Sequence, residues 1–248
     1  MKLELNLPPL FETVILTDSD GDARAHAAQL AAVGGGAGLF VWRPAADRID
    51  CAVLLRPEEA RAQVMPVVLV ASLAVLEGLG SAGPAAVGAD LVWPAGLRVN
   101  RGLCGGVALD LGPGDNPEWA VVSVVLRKTG APGIEGGERP DVTTLHNEGF
   151  ADMADRDLVE AFARHFLVWM DRWEELGLAP IARHWLHCAR SISKDTVLMI
   201  GDELIAGTIE GLDDIGGLSL DTASGRRILP LEPELLAQSP GSYYYKGK

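Results

Sequence analysis

The chain has 248 residues, 48% of them hydrophobic and 22% charged, a balance that describes a folded protein with a sizeable core and excludes a disordered polymer. Its formal net charge of -13 gives an averaged field that repels phosphate backbones and anionic headgroups, so neither nucleic acid nor a membrane surface is an expected partner. Cys51, Cys104 and Cys188 suit neither a disulfide framework nor a CxxC zinc site, and Glu4, Pro8, Pro9 and Glu12 interrupt any apolar export segment, so the cytoplasm is the expected compartment.

In chain order, apolar runs at 39–42 and 49–55, separated by Arg43-Pro44-Ala45-Ala46-Asp47, read as two strands around a tight loop. The Ala-, Leu- and Val-rich stretch that follows predicts one long helix begun near Pro66, where a missing N–H matters least. Its most apolar part, 64–76, is too short to span a bilayer and reads as a buried core helix. Residues 90–93, 97–100 and 104–111 read as strands, with Asn100-Arg101-Gly102 as a hairpin turn. A strand at 119–127 is apolar enough for the middle of a sheet, and the Gly- and Pro-rich 128–140 reads as a loop.

Leu158, Phe162, Phe166, Trp169 and Trp173 recur at three- and four-residue steps, the signature of an amphipathic helix, here stopped by Gly177. A second helix is expected over 181–188, after Pro180. Beyond Arg190 five short strands in about forty residues suggest a small barrel, and the tail from Pro240 reads as loosely held. The expected organisation is a core domain over 1–188, a barrel over 189–232 and a tail over 233–248.

Three stretches, taken in order, resemble biotin protein ligases. Residues 92–107, Val-Trp-Pro-Ala-Gly-Leu-Arg-Val-Asn-Arg-Gly-Leu-Cys-Gly-Gly-Val, look like the family's K-W-P-N-D stretch, its turn, its catalytic lysine and its A-G-I-L strand. Thr144-Leu145-x-x-Glu148-Gly149, the long helix, then Gly177-Leu178-Ala179-Pro180 and His184-Trp185 are similar to its threonine-serine-leucine element and the G-L-x-P-x-x-x-x-W stretch. The segment from Ile200-Gly201-Asp202-Glu203 to Gly216-Gly217-Leu218-Ser219-Leu220 looks like its C-terminal SH3-like barrel. The resemblance implies an α/β fold with a mixed sheet and packed helices. It also implies adenylation of a small carboxylate, biotin or lipoate, with ATP, transfer to a biotin/lipoyl carrier domain, and a homodimer. The winged helix with which some relatives repress DNA has no counterpart expected here.

Acyl-adenylate formation brings a carboxylate to an α-phosphate, so cations and N–H donors must offset their repulsion. The same resemblance shows where these should be. The catalytic lysine position holds Leu103, and the Lys, Asn and Asp of K-W-P-N-D are Val92, Ala95 and Gly96. The family's glycine-isoleucine-asparagine is replaced by 125–127. Its arginine-rich loop, which precedes the strand leading to Leu54-Leu55-Arg56-Pro57, is missing. Gly34-Gly35-Gly36-Ala37-Gly38 stands nearby, either a phosphate cradle or a flexible turn before a strand.

Trp42 and Arg43 border the shortened loop. Arg43, Arg48, Asn100 and Arg101 could form a relocated cationic cluster or be solvated turn residues. Trp93 and Pro94 mark either a pocket wall or core, and Gly105 and Gly106 either ligand approach or a bulge. These eight, Trp42, Arg43, Trp93, Pro94, Asn100, Arg101, Gly105 and Gly106, are the candidate ligand-binding residues. His184-x-x-His187-Cys188 lacks the further ligands zinc requires and reads as packing, and Asp152, Asp155, Asp157 and Glu160 read as acids complementing a helix start. Two functions follow: a divergent acyl-adenylate-forming transferase, or an impaired ligase fold that binds a small carboxylate or a carrier protein.

Overall fold

A computed structural model of the chain describes residues 4–84, 87–130, 142–189, 196–200 and 203–232. A seven-stranded mixed sheet runs in the order β1-β2-β3-β7-β6-β5-β4. Its strands are β1 (Glu12–Ile15), β2 (Leu39–Trp42), β3 (Arg48–Leu55), β4 (Ala89–Val92), β5 (Gly96–Val99), β6 (Gly102–Leu111) and β7 (Ala120–Arg127). Among these seven strands only β1 and β2 pair in parallel, and their crossover is helix α1 (Ala23–Ala32). A short helix α2 (Arg61–Val64) leads into α3 (Val67–Ala82), which carries the chain from β3 to the far edge.

Strand parity separates the two faces. Ile49, Cys51 and Val53 of β3, with Ala120, Val122, Val124 and Leu126 of β7, join the core beneath α3, α4 (Asp155–Leu176) and α5 (Leu178–Cys188). Helix α3 is apolar almost all round because it is enclosed, between the sheet on one side and α4 and α5 on the other. Phe162 and Phe166 stack from α4, and Trp185 of α5 donates from Nε1 to the Ser72 hydroxyl at 3.0 Å, satisfying two buried polar groups of α3 and α5 together. Pro180 lies in the first turn of α5, where its missing N–H would have no partner in any case, so this helix begins at Leu178 rather than 181.

The opposite face is covered at one end by α1. Asp22 caps that helix by accepting from Ala25 N at 2.7 Å. Ala23, Ala27 and Ala31, one turn apart and buried, let it lie close on Leu39, Val41, Ala52, Leu54 and Val121. Arg56 of the Leu-Arg-Pro stretch closes its other end, donating from Nη2 to Ala31 O at 2.9 Å and to Gly35 O at 2.7 Å. The glycine-rich 34–38 segment is thus the exit turn of α1.

The C-terminal strands, β8 (Thr196–Ile200), β9 (Glu203–Leu212), β10 (Leu218–Thr222) and β11 (Gly225–Leu229), form an antiparallel meander in the order β11-β10-β9-β8. There are four strands among the described residues rather than five, because the run around Gly225 continues directly into the last one. Trp93 Nε1 donates to Gly216 O at 3.2 Å, which ties this meander to the end of β4. The loop expected over 128–140 and the tail from 233 lie, apart from 128–130, outside the described residues.

Candidate functional site

Beyond the N-terminus of α1, its face of the sheet is lined by charged and small residues. Arg43 and Arg48 flank the β2–β3 turn, Asp50 lies on β3, Ser123 and Arg127 on β7, Gly106 and Asp110 on β6, and Val92, Gly96 and Arg98 on β4 and β5. Leu103 joins them through a bulge. The β5–β6 register shifts from Leu97 opposite Gly105 to Arg98 opposite Leu103, so Cys104 and Gly105 are both absorbed on the helix side while Leu103 turns to this one.

Of the eight candidate residues, the structure brings two onto this face, Arg43 beside Asp50 and Gly106 on β6. Trp42 and Trp93 are 2% and 1% exposed and belong to the core beneath α3; Pro94, joined to Trp93 by a cis peptide, is buried beside it. Asn100 and Arg101 form a two-residue β5–β6 turn, both with positive φ (46° and 77°), as a hairpin of this length requires. Asn100 braces that turn: its Nδ2 donates to Glu148 Oε2 at 2.6 Å and its Oδ1 accepts from Gly88 N at 3.3 Å. Arg101 is exposed at the tip, on the far side of β7 and β6 from Arg43 and Arg48. Gly105 and Gly106 are pressed against neighbouring backbone, as a Cβ at Gly106 would lie 2.3 Å from Ala95 O.

Sequence reasoning missed Asp50, although it stands alone among apolar residues in Ile49-Asp50-Cys51-Ala52-Val53 and shares strand parity with Arg48. Its side chain is 1% exposed; Arg43 Nη1 lies 3.5 Å and Arg48 Nε 3.6 Å from its Oδ2, and Ala23 N donates to its Oδ1 at 3.3 Å. Asp50 Oδ2 and Arg43 Nε and Nη1 are buried with no hydrogen-bond partner. Burial pushes the Asp50 carboxyl above its ordinary 3.8, outweighing the helix N–H and the two guanidinia that favour its charge. A raised carboxyl contributes stability that is complete below 3.8 and lost as pH rises through the folded value. Asp50→Asn should therefore flatten this part of the melting-temperature profile, so that wild type gains on the variant as pH falls toward 4; parallel profiles would contradict it.

The other cations on and around this face are engaged as well. Arg24 holds Asp110 through two contacts of 2.6 Å, Arg98 holds Asp90 at 2.8 Å, and Lys128 holds Asp155 at 2.7 Å. Arg127 reaches the backbone of Leu103, but there it donates to the carbonyls of Leu103 and Thr143. A phosphate arriving here would have to share each of these cations with a carboxylate or carbonyl already beside it.

The positions that the resemblance assigns to a lysine, an aspartate and the catalytic lysine meet one another. A Cβ at Gly96 would lie 3.2 Å from Val92 Cβ and 3.3 Å from Leu103 Cδ1, and Val92 and Leu103 are 0% and 6% exposed. Val92 and Leu103 thus border Gly96 in one small, buried apolar cluster. No group of His, Cys, Asp and Glu among the described residues could hold a metal. The His184 ring packs at a tilt against Trp169, with centroids 5.0 Å apart, and lies 3.9 Å from Glu77, a packing role.

Comparison with known proteins places this geometry in context. Residues 7–187 match the model of the biotin/lipoate A/B protein ligase family. A curated relative, biotin–[acetyl-CoA-carboxylase] ligase of Paracoccus denitrificans, is 29% identical over 194 residues, covering 76% of this chain and 80% of the relative. Among solved structures, a biotin protein ligase-like protein of unknown function from Silicibacter sp. TM1040 is 31% identical with a TM-score of 0.83, over 95% of this chain and 100% of the other. Biotin protein ligase from Aquifex aeolicus shares the fold at 16% identity and a TM-score of 0.74, over 96% and 100%.

Proposed function

The chain belongs to the biotin/lipoate A/B protein ligase family, and from that premise we propose that it holds a small carboxylate-bearing ligand without activating it. The observation that supports this reading is the apolar cluster of Val92 and Leu103 about Gly96, at positions where the resemblance would have charged side chains to offset the repulsion of carboxylate and phosphate. The pairing of the neighbouring arginines supports it. The test is ATP–pyrophosphate exchange with biotin, lipoate and octanoate, run beside a thermal-shift screen of the same acids and their adenylates. We expect no exchange above background and stabilisation by at least one acid; exchange with any of them overturns the reading.

A second reading, a transferase with relocated cations, is favoured by Arg127 beside Leu103 and by the Paracoccus denitrificans ligase at 29% identity. Under it the partners are ATP, biotin or lipoate and a carrier domain, and exchange should be present in wild type and lost in Arg127→Gln. In both readings we take the β8–β11 meander as the SH3-like unit, divided from the core near residue 189. Light scattering on the purified chain checks the homodimer.

A further inference from the structure

We propose that the corner between the α1 N-terminus and the β2–β3 turn is an oxyanion-binding site that the chain fills with its own Asp50 carboxylate. Asp50 is then the residue that bars anionic groups from this end of the face. The inference deepens the binding reading above and rests on it.

Three positive features from separate elements converge on this one carboxylate: the Ala23 N–H in the first turn of α1, Arg43 at the end of β2 and Arg48 at the start of β3. Helix N-termini and guanidinia are the groups that bind oxyanions, through N–H donors and positive field together. Their contacts to Asp50 are long, 3.3, 3.5 and 3.6 Å. One residue along α1 from that N–H, Arg24 grips Asp110 at 2.6 Å, so short contacts are attainable here. Asp50 is held back by its own strand: it pairs with Val125 in the middle of the β3–β7 ladder, and its carboxylate cannot advance on the three donors. The unpartnered Asp50 Oδ2 and Arg43 Nε and Nη1 are the measure of that shortfall, since buried donors and acceptors are otherwise paired. An untethered oxyanion of carboxylate size could settle closer.

The consequence is a rule for ligand class. With Asp50 ionised, a phosphate or carboxylate brought to the α1 terminus meets a like charge backed by Asp18, Asp22 and Asp47, and the nearest cations are already shared with Asp50, Asp18 and Asp47. A ligand lying along this face would therefore turn a neutral, hydrogen-bonding group toward Asp50 and keep its carboxylate elsewhere.

The experiment is chemical rescue of the full chain. Asp50→Ala removes the internal anion and leaves its space, whereas Asp50→Asn removes the charge and keeps the space filled. Melting is followed in sodium formate against sodium chloride of equal ionic strength, with formamide as the uncharged control. Formate should raise the melting temperature of Asp50→Ala by roughly 2–4 °C more than that of wild type or Asp50→Asn, and formamide should not. Equal shifts in the three chains, or rescue by formamide, overturn the proposal. Should Asp50→Ala fail to fold in chloride, refolding yield is the readout: formate restores the folded fraction, and no recovery counts against the site. Pyrophosphate exchange by the wild type would sink the non-activating function and leave this result untouched, so the two failures are distinguishable.

Discussion

Replacing Gly105 with alanine is expected to abolish cooperative folding. Gly105 has φ of +154°, and a Cβ there would lie 2.1 Å from Val125 O and 2.8 Å from Leu126 Cα. Both atoms are backbone of β7, the central strand of the sheet, so neither can move without breaking ladder pairs to β3 or β6. The bulge that turns Leu103 to the α1 side depends on this contact. A cost above about 4 kcal/mol follows, a large part of the roughly 5–15 kcal/mol that holds a domain together. Gly36→Ala, where a Cβ meets nothing within 4 Å, is the control and should melt like wild type. Urea titration with circular dichroism decides the matter: if Gly105→Ala unfolds at the wild-type midpoint, the glycine serves ligand access rather than strand packing.

The strands β2, β3, β6 and β7 and the helices α3 and α4 were legible because their burial writes itself into the sequence as apolar runs or as a three-to-four-residue period. Helix α1 was not legible. Its buried residues are alanines, too small to stand out, and its capping Asp22 sits among Asp18, Asp20 and other polar residues. Strand β1 is a four-residue, partly exposed edge that acquires its identity only by pairing with β2. The site divides along the same line. Residue identities at Val92, Gly96 and Leu103 could be read from a resemblance, but their mutual contact depends on a bulge and a hairpin register that no local pattern encodes. Asp50 could have been noticed as one charge in an apolar strand; its convergence with Arg43 and a helix terminus arises from three separate segments.

That contact among Val92, Gly96 and Leu103 yields the other large expected effect. Leu103→Lys should lower stability by about 2–4 kcal/mol, because an ammonium would be placed beside Val92 at a position 6% exposed, with no carboxylate described within the cluster. Gly96→Asp should also destabilise, since its Cβ alone would stand 3.2 Å from Val92 and 3.3 Å from Leu103. Combined, the two introduce opposite charges at touching positions, so the double variant should lose less than the sum of the singles, with a coupling of about 0.5–3 kcal/mol measurable by a thermodynamic cycle. Additive losses would mean that the side chains do not meet. Activity should respond differently from stability. One missing transition-state donor costs about 10²–10³-fold, and under the binding reading proposed above neither the single nor the double variant should exchange pyrophosphate. Exchange gained by Leu103→Lys alone would mean that the remaining cations already reach a phosphate, and the chain would then be a ligase lacking a single charge rather than a binding protein.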